Sequence, residues 1–166
     1  MPNENKKVMI FIDGSNLFYS ARCMGSDFRI DYLKLVEKLK DSRDLVRTHY
    51  YASTKVPPIE KQTAFYDRLR DYGIKTTIKP LRNDREKGID VALVTDLLIN
   101  AYEKNMDVAV VVSGDQDFID AIREVQRKGI QVEIGSFRDG FSKELQRSVD
   151  KVIHFEDFAS TIKMPR

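Results

Sequence analysis

Three short segments of the 166-residue chain carry side chains that together suit a hard divalent cation. Asp13 closes the apolar run Val8-Met9-Ile10-Phe11-Ile12 and is followed by Gly14, Ser15 and Asn16. Asp90 opens an apolar-rich stretch in Lys87-Gly88-Ile89-Asp90-Val91. Asp115 and Asp117 follow another apolar run in Val110-Val111-Val112-Ser113-Gly114-Asp115-Gln116-Asp117-Phe118. A lone aspartate after a strand has an ordinary role, capping the free amides and positive dipole end of the next helix. Several carboxylates at one spot are different, because they repel one another, and the usual remedies are a raised pKa or a bound cation. Oxygen donors with no imidazole or thiolate among them suit Mg²⁺ or Mn²⁺.

Whether these acids meet depends on the elements that carry them. Continuous apolar runs at 8–12, 46–52, 74–78, 108–112 and 130–134 read as strands buried on both faces, with a short sixth at 152–155. Between them, Tyr32-Leu35-Val36-Leu39, Phe65-Leu69-Tyr72, the stretch 92–102 and the stretch 118–125 have helical spacing. Gly73 and Gly129 stand where helix C-caps belong, and Pro57-Pro58 reads as a helix entry. Alternating strands and helices imply an α/β fold, a parallel sheet with right-handed crossovers and helices on both faces. Ligands in such sheets bind outside the carboxyl ends of the strands. Asp13, Asp115 and Asp117 all sit there, and they converge if the first and fourth strands are neighbours.

The rest of the composition narrows the classes. With 42% apolar and 33% charged residues, the chain reads as one globular domain over 1–166, its core at about 7–158, with 163–166 as a frayed tail. Cys23 has no partner for a disulfide, and one Cys with two His matches no zinc spacing. The polar N-terminus and the lack of an apolar run near 20 residues argue against membrane insertion, so the expected location is the cytoplasm. Net charge is only +2, so any nucleic-acid surface must come from patterning.

Around the acids, Asn16 is placed to hold a carboxylate, a water or a phosphate oxygen, or else to cap locally, and Ser15 is a candidate N-cap. Asp96 lies six residues beyond Asp90, about 600° round a helix, and is read as structural. Lys75, Lys79, Arg82, Arg85 and Lys87 form a basic stretch leading into the Asp90 segment, and Arg138, Lys143 and Arg147 follow the fifth strand. Such charges either track a phosphate backbone or form a solvated face. Lys87, Arg82, Arg85 and Ser113 are the candidate substrate-binding residues. Phe18 and Tyr19, one turn beyond Asp13, have the spacing of core aromatics, with base stacking as the alternative. His49 and His154 lie in or beside strands, where local hydrogen bonding is the expected role.

The segments Phe11-Ile12-Asp13-Gly14-Ser15-Asn16, Lys87-Gly88-Ile89-Asp90-Val91 and Ser113-Gly114-Asp115-Gln116-Asp117-Phe118 resemble, in order, the three signature motifs of the NYN domain, in particular its LabA-like branch. The resemblance spans about residues 7 to 155. It implies a PIN-like, FLAP-nuclease-like three-layer sandwich with a sheet of about five strands in order 3-2-1-4-5. It further implies metal-dependent cleavage of RNA, with Asp13, Asp90, Asp115 and Asp117 as the Mg²⁺ or Mn²⁺ site and Asn16 as its polar partner. The implied chemistry is metal-assisted in-line attack of water on a phosphodiester, with no covalent nucleophile.

A second reading keeps the fold as an RNA-binding or regulatory module of LabA type with little turnover, and a homodimer joining two basic faces is compatible with either. A phosphatase of the aspartyl-phosphate type fits less well. That chemistry places Asp-x-Asp after the first strand, whereas Gly14 and Ser15 follow Asp13 here.

Overall fold

Uninterrupted runs of β-branched and aromatic residues pack well on a pleated surface covered from both sides. In the computed structural model, which describes residues 5–166, these runs form one parallel sheet. Its strands are β1 (Lys7–Asp13), β2 (Asp44–Thr54), β3 (Lys75–Pro80), β4 (Val108–Val112), β5 (Gln131–Ser136) and β6 (Lys151–His154), in spatial order β3-β2-β1-β4-β5-β6. The expected order is thus present, and the short sixth strand extends the β5 edge, pairing Glu133 with Lys151 through Ser136 with His154.

Side chains alternate across β1, and the two faces build separate cores. Val8, Ile10 and Ile12 face a layer made by α1 (Gly14–Ala21), α2 (Tyr32–Lys40), α3 (Glu60–Asp71) and α7 (Ala159–Ile162). Met9 and Phe11 face α4 (Ile89–Tyr102), α5 (Ile119–Arg127) and α6 (Lys143–Ser148). The helix stops follow the sequence: Gly73 and Gly129 adopt φ of 80° and 81°, the left-handed region open to glycine.

Three boundaries differ from the sequence reading. The core continues past residue 158, because Ile162 on α7 is fully buried. Part of the C-terminal tail is tied down: Met164 N–H donates to the Arg29 carbonyl, and Lys163 bridges Ile30. The small helix α6 was not expected; its six residues bury only Leu145, too short a pattern to register as helical periodicity. Among the described residues no helix is long and apolar enough to cross a membrane.

Candidate metal centre

Parallel pairing of β1 with both β2 and β4 sets the carboxyl ends of β1 and β4 side by side, with Ile12 opposite Val112. Asp13 leaves β1 in extended conformation and caps α1, its Oδ1 accepting from Asn16 N–H at 3.2 Å. The cap is therefore Asp13 and not Ser15, which lies inside the helix and donates its hydroxyl to Glu86 Oε1. Gly14 is required by close approach: a Cβ there would stand 2.4 Å from the Tyr50 ring and 2.7 Å from the Tyr51 carbonyl oxygen. That contact seats the start of α1 directly on β2.

The loop after β4 arrives from the other side. Ser113, fully buried, donates from Oγ to Asp13 Oδ2 at 3.3 Å. Gly114 N–H donates to Asn16 Oδ1 at 2.9 Å. Gly114 also packs against the 140–141 backbone, where a Cβ would meet the Gly140 oxygen at 2.9 Å. Asp115 then caps a single 3-10 turn over Gln116–Phe118, its Oδ1 accepting from Asp117 N–H at 2.9 Å. Phe118 anchors that turn in the core at 1% exposure, which leaves Asp115 half-buried and Asp117 exposed.

Asp90 comes from the first turn of α4, which starts at Gly88 in the left-handed region with φ 80°. Before it, the backbones of Arg82 and Arg85 exchange two hydrogen bonds around Asn83 and Asp84, both at positive φ. This is the geometry of a type I′ turn. It brings Glu86 back against Ser15. Arg82, Asn83, Arg85, Glu86 and Lys87 line an open concavity of about 540 Å³ on this loop.

The electrostatics show how these acids sense one another. Burial pushes the Asp13 carboxyl up to about 7, helped by the charges of Asp90 and Glu86 and opposed by the Asn16 and Ser113 hydrogen bonds. The Asp90 carboxyl is also raised, by desolvation first and then by Asp115, Glu86 and Asp117. Five carboxylates thus share one sheet edge. Among the described residues no three His, Cys, Asp or Glu side chains stand as a closed cage for an ion. The donor set is nonetheless all hard oxygen, with mutual repulsion that a divalent cation relieves, and Asp90 and Asp117 are its exposed members.

The family model of the NYN domain matches residues 7–156, the span that contains all three acidic segments. The chain belongs to the NYN domain family. That family has a PIN-like nuclease fold, and the sheet order found here is the one it implies. Low amplitude and bright protein LabA of Synechococcus elongatus is 28% identical over 167 residues, covering 95% of this chain and 88% of its own length. An uncharacterised protein of Methanocaldococcus jannaschii is 26% identical over 147 residues, 89% of this chain but 54% of its own length. The crystal structure of a protein of unknown function from Vibrio parahaemolyticus superposes with a TM-score of 0.81 at 23% identity, covering 97% of this chain and 98% of that one, a likeness of fold.

Against this NYN frame, the site residues read from sequence divide into two groups. Asp13, Asn16, Asp90, Ser113, Asp115 and Asp117 all stand at the carboxyl edge of the sheet. Asn16 there accepts from the Gly114 backbone amide and ties α1 to the β4 loop. The basic stretch is split. Arg82, Arg85 and Lys87 stay beside the acids, while Lys75 begins β3 at the opposite edge, in a concavity with Arg47, His49 and Asp96. Arg138 pairs with Asp157 at 3.3 Å.

Of the remaining side chains, one agrees with expectation and the others depart from it. Asp96 is structural as read, accepting from Tyr51 Oη at 2.7 Å. His49 is not satisfied by local hydrogen bonds: it is 4% exposed, stacked against Phe11 and Tyr51, and among the described residues neither ring nitrogen has a hydrogen-bond partner, Asp96 Oδ2 standing 4.0 Å from Nδ1. His154 Nδ1 is likewise unpartnered. Phe18 and Tyr19 are not core residues, being 54% and 61% exposed. Glu86 is the site residue that sequence reasoning missed. Its neighbours Arg85 and Lys87 made the segment read as basic, and only the Asn83-Asp84 pair hinted at the turn that swings it back.

Proposed function

We propose that the chain is a metal-dependent ribonuclease that hydrolyses RNA phosphodiester bonds. The observation carrying this reading is the convergence of Asp13, Asp90, Asp115 and Asp117 on one sheet edge, where burial first, and then neighbouring carboxylates, raise the Asp13 and Asp90 carboxyls. Clustered negative charge facing a polyanion is unfavourable unless a cation lies between them. Asp13, Asp90, Asp115 and Asp117 would hold Mg²⁺ or Mn²⁺. Such an ion supplies Lewis-acid polarisation of a phosphoryl oxygen and neutralises charge on the leaving oxygen.

The chain's own groups divide the remaining work. Asp13 and Asp115 are fixed by their caps and by Ser113 and Asn16, so they form the rigid half of the site. Asp90 and Asp117 are exposed and adjust. Arg82, Arg85 and Lys87, on the loop entering α4, meet flanking phosphates and orient the strand across the acids. The second reading, an RNA-binding or regulatory module with little turnover, keeps the same fold and the same acids.

The deciding experiment is cleavage of labelled single-stranded and hairpin RNA with Mg²⁺, with Mn²⁺ and with EDTA, by wild type, Asp13→Asn and Asp115→Asn. Asparagine retains the capping acceptor at both positions, so the fold is kept while the charge is lost. Metal-dependent cleavage abolished in both variants supports the ribonuclease. Tight RNA binding without cleavage supports the regulatory module, and cleavage equal in all three proteins refutes the assigned site.

A further inference from the structure

Helix α1 carries the candidate site on one face and continues that face outward. Ser15 contacts Glu86 and Asn16 contacts the β4 loop. Tyr19 follows Ser15 by four residues and Asn16 by three, so it lies on the same side of the helix, about 6 Å further along the axis. Phe18 stands beside it, the two rings edge to face with centroids 5.6 Å apart. Arg22, one turn later, holds its guanidinium 5.1 Å from the Phe18 centroid and 5.0 Å from that of Tyr19.

Tyr72 and Tyr102 are exposed singly, whereas Phe18 and Tyr19 are exposed side by side. Of nine phenylalanines, the other eight are buried or half-buried, while Phe18 is 54% exposed with Tyr19 at 61% beside it. Two exposed aromatic rings, with a guanidinium over one side of each, leave their outer sides for a flat, π-rich group attached to a phosphate. The patch is also small. The exposed surface runs on from the pair through Arg22, Cys23 and Met24, a narrow strip, whereas a stable protein interface needs a broad apolar core.

We infer that Phe18, Tyr19 and Arg22 form a base-stacking subsite for an unpaired nucleotide adjoining the phosphate held at the Asp13 edge. This rests on the ribonuclease reading for the direction of the strand but not for the stacking itself. A base in a duplex cannot lay its face on the rings, so the subsite makes the protein prefer single-stranded RNA. Arg22 closes the platform and meets that nucleotide's phosphate.

Because the chain has no tryptophan, Tyr19→Trp places one reporter on the platform. In EDTA, titration with a short single-stranded RNA should quench its fluorescence, and the same RNA annealed into a duplex should not. By fluorescence anisotropy with labelled RNA in EDTA, Phe18→Ala and Tyr19→Ala should each weaken single-strand binding about tenfold. Tyr72→Ala, an exposed aromatic at the far end of α3, should leave binding unchanged.

Unquenched tryptophan together with unchanged affinity in both alanine variants overturns the subsite. So does a shift from dimer to monomer in those variants with RNA affinity intact, which would assign the patch to a second copy of the chain. Quenching by single-stranded RNA with no cleavage under Mg²⁺ or Mn²⁺ keeps the subsite and removes the ribonuclease reading. Cleavage and binding unaffected by both alanines do the reverse.

Discussion

Asn16 Oδ1 accepts a hydrogen bond from Gly114 N–H at 2.9 Å, linking positions 98 residues apart. It joins the helix that follows β1 to the loop that follows β4, beside the Ser113 hydroxyl that links Asp13 to Asp115. Asn16→Ala leaves the amide of buried Gly114 without its partner, a loss of about 1–3 kcal/mol. Asn16→Asp keeps an acceptor and should recover most of that stability. Urea unfolding of both variants checks this. Calorimetric titration with Mn²⁺ should show weaker binding to Asn16→Ala, and identical stability and Mn²⁺ binding in wild type and Asn16→Ala would mean that the tie positions nothing.

A second prediction concerns Gly14. A methyl group there would sit 2.4 Å from the Tyr50 ring and 2.7 Å from the Tyr51 carbonyl oxygen. Tyr50 is 5% exposed and packed edge to face on Tyr32 and Phe65, so it has no room to swing away. Gly14→Ala should therefore either cost about 1–3 kcal/mol of overpacking or push the start of α1 off β2, shifting Asp13. Denaturant unfolding with a backbone amide spectrum separates these outcomes, and a fully stable variant with an unshifted Asp13 amide would contradict the close packing.

How much of this was legible in the sequence follows from which forces act locally. The central strands are buried on both faces, so their apolar runs announce themselves, and the strand–helix alternation fixes a parallel sheet. Asp13, Asp115 and Asp117 were visible because the carboxyl edge of such a sheet is a known place in sequence. The basic stretch splits, with Lys75 at the far end of β3, because a run of charges says nothing about which end of a strand each residue joins. Glu86 was invisible because its position depends on a reversal of direction at Asn83 and Asp84, where two positive φ values stand side by side. Phe18 and Tyr19 have the spacing of core residues, and only the tertiary packing, in which Leu17 and Ala21 take the buried side of α1, shows that they face outward.

The buried ion pair away from the site gives a stability test. Arg43 donates to both Glu133 oxygens, at 2.7 Å and 3.0 Å, with both side chains under 10% exposed (6% and 8%). Glu133→Gln leaves the guanidinium buried without its counter-charge and should lose about 3–5 kcal/mol. Replacing both residues, as Arg43→Met with Glu133→Leu, removes both desolvation costs and should recover much of the loss. Chemical denaturation of the single and double variants measures the difference; a double variant less stable than Glu133→Gln would show that the pair does more than neutralise itself.

The last prediction is a pH dependence rooted in His49. Burial lowers its pKa from an ordinary 6.5 to about 4, with Lys75 and Arg47 adding to the effect and Asp96 opposing it. The folded protein thus refuses a proton that the unfolded chain accepts between about pH 6.5 and pH 4. Unfolding takes up that proton, so His49 leaves stability intact above pH 6.5 and erodes it as pH falls, by up to about 3 kcal/mol near pH 4. Phenylalanine preserves the stacking against Phe11 and Tyr51, sacrifices no hydrogen bond found among the described residues, and cannot titrate. Stability measured from pH 7.5 to pH 4.5 should therefore fall less steeply in His49→Phe than in wild type, with the two curves parallel above pH 7. Every other titrating group is common to both proteins and cancels in the comparison, so equal slopes across the acid range would mean that His49 takes up its proton in the folded state as readily as in the unfolded one.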